Sequence, residues 1–341
     1  MSISIVPRST ITLKIRSPLT PVEIPVGPVI HTLLSPTEYS EVKQLEVDRH
    51  SGNSLRAYLS DWNDFRTYCQ TKPLSDVSQI PEAVNGYLNH LYKEGYKMST
   101  LERRVMGIKY CLHEKYQIQL DLSQISKVMA GLRKELGTKK KGKNPLLKIH
   151  IARMVDAVGI GNTNLQLRDR ALLLVGFYSA MRRSELLDLQ WSEVEITPDG
   201  CLLNLIKSKT DQTGKGRKIP LPYKSDKYCP IKALIEWKSL CDTEVKLFVW
   251  RRINLKTDEL MGPLKMSQYY ELIKSYCQRI GLEGGQFSPH SLRSGFVTQA
   301  DLSGASISMI QKTTGHRSEA MVRNYVRDPD QVLKSHAGLH F

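Results

Sequence analysis

Apolar residues recur at helical spacing along most of the chain, and this pattern defines its predicted elements. From Ser54 to Gln70 an apolar residue falls every three or four positions, which is the period of an amphipathic helix. The same spacing predicts helices over residues 81–93 and 122–136, and another from Ser99, where Glu102 would complete a capping box. Several helices with short connections indicate a compact helical bundle in the first half of the chain.

The second half combines helical segments with one alternating segment. Residues 201–208 alternate between apolar and polar side chains and predict a strand, and residues 217–221 predict its return strand. Further helices are predicted over residues 164–181, 230–240, 265–280, from 290 to a stop near 304, from 318 onward and over 330–336. The expected fold is therefore mainly α with a small β-sheet, in which a helical N-terminal domain precedes an α+β domain.

Two segments without helical periodicity set the predicted domain limits. Residues 1–37 contain several prolines and β-branched residues, which predicts a flexible N-terminal arm. The glycine-bearing and strongly basic run at residues 137–146 is typical of a linker. The predicted organisation is thus an arm (1–37), a helical domain (38–136), a basic linker (137–146) and a C-terminal domain (147–341).

Composition narrows the choice of partner and compartment. The formal net charge of +15 favours an anionic partner, and nucleic acid is the first candidate. The six cysteines are scattered without a C-x-x-C pair, so neither a zinc site nor a disulfide framework is predicted. The longest apolar run, residues 171–181, is too short to span a bilayer, and the N-terminus lacks the apolar core of a signal peptide. We therefore expect a cytoplasmic protein without a membrane partner.

Candidate chemistry concentrates near the C-terminus. His290 and Arg293 share one helix face, His316 follows a glycine, and Tyr325 lies nine residues further on. Arginine suits phosphate, histidine transfers protons near neutral pH, and a deprotonated tyrosine is a nucleophile. Together these residues suggest phosphoryl transfer through a covalent phosphotyrosine. A single His-x-x-Arg or a single tyrosine is more often structural, and spacing alone leaves convergence of the side chains open.

These residues resemble the C-terminal catalytic box of the tyrosine recombinases, the Cre-like phage integrase family. That box has His-x-x-Arg, then Gly-His or Gly-Trp, then tyrosine nine residues later, as in the segment from His290 to Tyr325. The family's upstream box, an arginine before Ser-Glu-Leu, is matched by Arg182 and Glu185 with Arg183 between them. The helical region resembles the family's core-binding domain, including the run from Ser54 to Phe65.

The resemblance implies site-specific recombination by transesterification, with Tyr325 forming a 3′-phosphotyrosine. It implies that Arg182 and Arg293 clamp the phosphate, that His290 is the general base and that His316 donates to a phosphate oxygen. Glu185 would orient these side chains. The family also has a catalytic lysine in a hairpin between the boxes, which matches Lys209 best, with Lys215 as the competitor.

The resemblance further implies double-stranded DNA with paired inverted half-sites, a homotetramer on DNA, a Holliday junction and a possible accessory DNA-bending protein. It implies no metal, cofactor or ATP, and a bacterial, plasmid or phage protein associated with the nucleoid. The C-terminal helix would serve oligomerisation. Basic residues in the bundle and linker are candidate DNA contacts: Arg56, Arg103, Arg104, Lys139, Lys140 and Lys141. Two alternatives stay open, a type IB topoisomerase-like activity and a catalytically silent sequence-specific DNA-binding protein, as does the choice among integration, excision and resolution.

Overall fold

The structure, a computed structural model, forms two compact units, Met1–Lys140 and Lys141–Phe341. It describes residues 10–12, 23–25, 52–72, 74–137, 142–206, 216–241, 247–323 and 325. Helices dominate both units, and the strands form small sheets.

Two short strands lie within the arm, for which the sequence predicts no regular structure. Strand β1 (Thr10–Thr12) pairs antiparallel with β2 (Glu23–Pro25), with Ile11 opposite Ile24. The β-branched residues of both segments favour extended backbone. The sequence prediction for residues 1–37 therefore misses a local strand pair.

In the part of the N-terminal unit that the structure describes, four helices form, in agreement with the apolar spacing. They are α1 (Gly52–Gln70), α2 (Ile80–Lys93), α3 (Met98–Tyr116) and α4 (Leu122–Leu136), with a 3₁₀ turn at Val77–Gln79. Their apolar faces meet in one core, whose buried members include Trp62, Phe65, Val84, Leu88, Leu101, Ile108, Leu112 and Ile125. Full burial of each such side chain stabilises the folded state by roughly 1.5–3 kcal/mol. The shared core is therefore what holds the four helices together.

The capping box expected at Ser99 is wrong. Helix α3 begins at Met98, and its N-cap is Lys97, whose backbone is extended and whose side chain makes no capping bond. Met98 is buried, so packing of this apolar residue extends the helix past the serine. By contrast, Asp121 does cap α4, because its carboxylate accepts a bond from the Ser123 amide at 2.8 Å.

The second unit begins before the predicted limit at residue 147. The Asn144 amide donates to the Gln286 carbonyl at 2.9 Å, and the Leu146 amide donates to the Ser291 carbonyl at 2.9 Å. Leu146 is also fully buried in this unit's core. The end of the basic linker is therefore part of the C-terminal unit, whereas residues 138–141 lie outside the described residues.

Helices α5 (Lys148–Val158), α6 (Asn164–Tyr178) and α7 (Arg183–Leu187) open this unit. Helix α6 is buried on almost every side, which explains why its sequence is nearly continuously apolar. It ends at Tyr178 rather than at the predicted residue 181, because Ala180 adopts a left-handed backbone with φ of 48°.

A three-stranded antiparallel sheet follows, in the order β3 (Val194–Thr197), β4 (Gly200–Leu205) and β5 (Arg217–Pro222). The predicted hairpin is formed by β4 and β5, with Leu203 opposite Ile219. Strand β3 is an addition to the predicted elements. The turn of the hairpin, residues 207–215, lies outside the described residues.

The remaining elements are α8 (Pro230–Lys238), the strand pair β6 (Arg251–Ile253) and β7 (Leu260–Pro263), α9 (Met266–Arg279), α10 (His290–Leu302), α11 (Ile307–Thr314) and α12 (Glu319–Arg323). Short 3₁₀ turns lie at Trp191–Glu193 and Gly284–Gln286. Among the described helices, none is long and apolar enough to cross a bilayer. The helix predicted over residues 330–336 lies outside the described residues.

Candidate active site

The described side chains of the predicted catalytic motifs come from three separate parts of the second unit and converge on one site. Arg182 and Glu185 come from the start of α7, and His290 and Arg293 come from the first turn of α10. His316 follows α11, and Tyr325 follows α12. Hydrogen bonds link these groups across large sequence separations. The sequence leaves their convergence open, and the fold brings them together.

Arg182 and Glu185 form a compact unit at the start of α7. The Arg182 amide donates to Glu185 Oε2 at 3.0 Å, and its Nη1 donates to Oε1 at 2.7 Å. Glu185 is 6% exposed, whereas a fifth of the Arg182 side chain is accessible. The Arg182 Nη2 also donates to the Gly315 carbonyl at 3.3 Å. A buried carboxylate thus orients a guanidinium that still reaches solvent.

Arg293 is almost fully buried at 2% exposure, which is unusual for an arginine. Its Nη1 donates to the Ala180 carbonyl at 2.5 Å, and its Nη2 lies 3.1 Å from His316 Nε2. Burial, reinforced by the charge of Arg182, lowers the pKa of Arg293 to about 10. The guanidinium remains protonated at neutral pH. The Ala180 carbonyl, just beyond the end of α6, thus holds one side of the Arg293 guanidinium.

The contacts of His316 fix its tautomer. Since the Arg293 guanidinium can only donate, His316 Nε2 accepts, and the proton lies on Nδ1. Nδ1 donates to Thr314 Oγ1 at 2.7 Å, and this hydroxyl donates to the Ile310 carbonyl at 2.7 Å. Burial and the charge of Arg293 lower the pKa of His316 to about 4. The imidazole is consequently neutral at pH 7.

His290 and Tyr325 form the pair expected of a base and a nucleophile. His290 Nε2 lies 2.9 Å from the Tyr325 hydroxyl. Desolvation by neighbouring protein, together with the charge of Arg293, lowers the pKa of His290 and favours the neutral imidazole that can accept a proton. Thr298 Oγ1, which donates to the Ser294 carbonyl at 3.0 Å, also lies 3.3 Å from the backbone carbonyl of Tyr325 and so places the tyrosine beside α10.

A third arginine, Arg217, belongs to the site although no sequence motif points to it. It opens β5, and its Nη2 donates to Glu185 Oε2 at 3.4 Å. Its Nη1 donates to the Thr313 carbonyl at 2.8 Å. With Arg182 and Arg293, three guanidinium groups thus lie around one carboxylate, and the excess positive charge suits a phosphate group.

Several predicted residues lie outside this described cluster. Both lysine candidates, Lys209 and Lys215, fall in the undescribed hairpin turn, and Lys139, Lys140 and Lys141 fall in the undescribed linker segment. Their roles stay predictions. Within the described ranges, no group of three or more His, Cys, Asp or Glu side chains is arranged to hold a metal ion.

The three predicted DNA contacts in the bundle differ in accessibility. Arg56 is exposed and donates to Asn53 Oδ1 at 2.5 Å. Arg103 is partly exposed and is ion-paired with the buried Asp61. Arg104 is only 7% exposed, and it donates to Asp64 and to the Tyr87 hydroxyl. These contacts favour a structural role for Arg104, whereas DNA contact by Arg56 and Arg103 stays a prediction.

Comparison with known families identifies this architecture. The phage integrase family matches residues 145–331, and the phage integrase N-terminal SAM-like domain matches residues 42–117. The first match covers more than half of the chain. The chain therefore belongs to the phage integrase family, the tyrosine recombinases, and it is an enzyme of site-specific DNA recombination.

Individual relatives agree with this assignment. The integrase/recombinase xerD homolog of Selenomonas ruminantium is 30% identical over 295 residues, which cover 84% of each chain. The tyrosine recombinase XerC of Halalkalibacterium halodurans is 24% identical over 81% of this chain and 87% of its own.

Two solved structures share the fold. The XerH site-specific recombinase bound to palindromic difH substrate has a TM-score of 0.61 and 16% identity, over 83% of this chain and 78% of its own. A lambda integrase dimer bound to a COC′ core site has a TM-score of 0.55 and 18% identity, over 85% and 76% respectively.

Proposed function

We propose that this recombinase cuts and rejoins double-stranded DNA through a 3′-phosphotyrosine at Tyr325. The observation that carries the proposal is the 2.9 Å contact between His290 Nε2 and the Tyr325 hydroxyl beside a cluster of arginines. A neutral imidazole that accepts from a phenol can remove its proton as the phenol attacks phosphorus. The guanidinium groups of Arg182 and Arg293 provide charge where the attacked phosphate becomes more negative.

The cleavage step balances as a transesterification. Tyr325 Oη forms a bond to phosphorus while its proton passes to His290 Nε2. The bond between phosphorus and the 5′-oxygen breaks, and the hairpin lysine, Lys209 or alternatively Lys215, supplies the proton to the leaving oxygen. A 5′-hydroxyl from a partner strand then attacks the phosphotyrosine and reverses these steps. Because the bond energy is kept in the phosphotyrosine, the exchange requires no nucleotide hydrolysis.

His316 has an additional constraint in this scheme. Its Nε2 accepts from Arg293 in the structure, so it can donate to a phosphate oxygen only after that contact is broken and its protons rearrange. Glu185 positions Arg182 through two hydrogen bonds. Phosphate contact by His316 thus belongs to a DNA-bound state, in which Arg293 turns toward the phosphate.

The proposed working assembly is a homotetramer that joins two duplexes at paired inverted half-sites and passes through a Holliday junction. The palindromic substrate of the XerH structure and the dimer of the lambda integrase structure support symmetric half-sites. The net charge of +15 supports binding to the DNA backbone. An accessory DNA-bending protein and a bacterial cytoplasmic, nucleoid-associated setting complete the proposal.

Covalent trapping tests the nucleophile. Nicked duplexes from the protein's native replicon would be incubated with the protein and resolved on a denaturing gel. We expect a protein–DNA adduct with the wild type and none with Tyr325→Phe. Tyr223→Phe is a matched control, because Tyr223 is an exposed tyrosine whose hydroxyl contacts the Thr197 carbonyl at 3.4 Å. An adduct that persists in Tyr325→Phe would place the nucleophile on another residue.

The same preparation separates the two alternatives. A type IB topoisomerase-like enzyme would relax supercoiled plasmids that lack a target site, whereas a recombinase would exchange strands only between paired sites. A catalytically silent DNA-binding protein would retain specific binding without any adduct. We expect strand exchange that depends on the paired sites.

A further inference from the structure

Arg217 connects two parts of the site that lie far apart in the sequence. It is the first residue of β5 and closely follows the hairpin turn that carries both lysine candidates. Only 18% of its side chain is exposed. Its guanidinium lies between Glu185, which orients Arg182, and the Thr313 carbonyl near the end of α11. One side chain thus contacts both catalytic boxes.

The turn before His316 is shaped around this guanidinium. Gly315 has φ of 66°, the left-handed conformation that glycine adopts readily. A Cβ on Gly315 would also lie 2.5 Å from Arg217 Nη1, closer than real contacts allow. Arg217 therefore packs directly against the Gly315 backbone, whose carbonyl accepts from Arg182 Nη2.

The ion pair between Arg217 and Glu185 also affects the charge that Arg182 experiences. Glu185 is buried, and its two oxygens accept from Arg182 and Arg217. Without Arg217, Arg182 would be left as the one described guanidinium that donates to the carboxylate, and the carboxylate would compete more strongly with a phosphate for it. Burial lowers the pKa of Arg217, whereas the charge of Glu185 raises it. The fold therefore keeps a charged guanidinium at this position despite the free-energy cost of removing it from water.

We propose that Arg217 is a positioning residue for strand cleavage. It shares the charge of Glu185, which leaves Arg182 available to the scissile phosphate, and it holds the C-terminal end of α11 with Gly315, which together present His316. The inference rests on the proposed phosphotyrosine chemistry. Arg217 acts on the groups that hold the phosphate, and the hairpin lysine that would protonate the leaving oxygen is not required for its effect.

Single-turnover adduct formation at saturating protein measures this role apart from DNA affinity. We expect Arg217→Gln to slow adduct formation by about 10- to 100-fold, by analogy with the outer partners that orient metal ligands. Arg217→Lys keeps the charge but cannot make both contacts in fixed geometry, so an intermediate rate is expected. Arg153→Gln is the control, because Arg153 Nη2 also donates to a backbone carbonyl, that of Ile280 at 2.7 Å, without contact to the site.

Two readouts separate positioning from a general structural role. If charge sharing matters, Glu185→Gln should restore part of the rate when it is added to Arg217→Gln, whereas a double variant slower than Arg217→Gln would overturn the charge argument.

The second readout uses a substrate with sulfur in place of the 5′-bridging oxygen, since a thiolate leaves without an acid. We expect the defect of Arg217→Gln to persist on this substrate. Recovery to the wild-type rate would show that Arg217 acts through the hairpin lysine, against the proposal.

The outcomes also separate this inference from the proposed function. Absence of an adduct with the wild type would refute the phosphotyrosine chemistry itself. A wild-type adduct together with an unaffected Arg217→Gln would refute only the role of Arg217. Melting temperature and DNA affinity are measured for each variant. If Arg217→Gln does not fold, Arg217→Lys decides the question, and a wild-type rate for that variant overturns the proposal.

Discussion

The two histidines of the site differ in their surroundings, and this difference separates their roles. His290 lies at the solvent-exposed rim with one nitrogen on the Tyr325 hydroxyl. His316 is 6% exposed, with one nitrogen on Arg293 and the other on Thr314. The former is free to take up a proton, whereas the latter is held neutral. At residue scale, a motif gives the identity of two imidazoles, but only their neighbours determine their chemistry.

The environment of His316 predicts a pH dependence of stability. Its pKa is about 4 in the folded protein and near the ordinary 6.5 when unfolded, so the unfolded chain takes up a proton first as the pH falls. The stability that comes from burying the neutral His316 imidazole is fully present above pH 6.5. It is lost progressively as the pH falls toward 4, with a loss of about 2 kcal/mol by pH 5.

Melting curves at pH 7.5 and pH 5 measure this effect in the wild type and in His316→Gln, which does not titrate. We expect a smaller decrease in stability for the variant over the same interval. His290, whose pKa is also lowered, remains in both proteins and titrates in each. Equal decreases in the two proteins would contradict the assignment of the buried, neutral state to His316.

The sequence identifies the side chains with family motifs but not those that support them. Arg217, Thr314 and the Ala180 carbonyl reach the site only through the folded chain, and nothing in their local sequence distinguishes them. The local pattern at Arg217 predicts only the start of a return strand. A backbone carbonyl has no sequence signature, so the sequence could not predict that the Ala180 carbonyl accepts a hydrogen bond from Arg293.

At the scale of elements, apolar periodicity predicts the long amphipathic helices well. Helices α1, α2 and α4 lie within a residue or two of their predicted limits. Helices α5 and α11 and strand β3 escape the prediction, because each is short or only partly apolar. The predicted limit of α6 is wrong because Ala180, which is fully buried, has a left-handed backbone that ends the helix.

The packing of α10 predicts a reversal of the usual effect of glycine in a helix. Gly295 lies in the middle of α10, where replacement by alanine ordinarily stabilises by up to about 1 kcal/mol. A Cβ at this position would overlap the Leu146 carbonyl oxygen, which belongs to the chain entering this unit. Gly295→Ala should therefore destabilise the protein by roughly 1–3 kcal/mol and displace the helix that carries His290 and Arg293.

Gly131 provides the matched control for this prediction. It lies within α4, and a Cβ there would meet nothing within 4 Å. Denaturant titration should show a gain of about 0.5–1 kcal/mol for Gly131→Ala and a loss for Gly295→Ala. A gain for both variants would mean that α10 is not in close contact with the Leu146 backbone.

At the scale of the whole molecule, two compact units share one family but differ in what their sequences reveal. The catalytic unit has motifs at fixed spacing, so family, fold class and candidate site residues follow from the sequence. The N-terminal unit has no motif of catalytic residues. Its apolar spacing predicts a helical bundle but does not indicate what the bundle does. Its candidate DNA contacts depend on charge alone, which is why Arg104 is among them although it is buried and bonded to Asp64 and Tyr87.

The basic linker between the units gives the last prediction. If Lys139, Lys140 and Lys141 each neutralise a phosphate, replacing all three with glutamine should weaken DNA binding and make it less sensitive to salt. The slope of log affinity against log salt should decrease in magnitude by about 0.9 for each phosphate that is no longer neutralised. Cleavage at saturating protein should change little, because the family resemblance assigns the chemical steps to other residues.

A control with the same change in net charge distinguishes phosphate contact from bulk charge. Lys227, Lys274 and Arg133 are each ion-paired with a carboxylate, so their replacement with glutamine removes three positive charges that are already balanced locally. We expect nearly unchanged salt dependence for this control. If both triple variants changed the slope equally, the linker would contribute only to the overall field of the protein, and the assignment of its lysines as phosphate ligands would have to be abandoned.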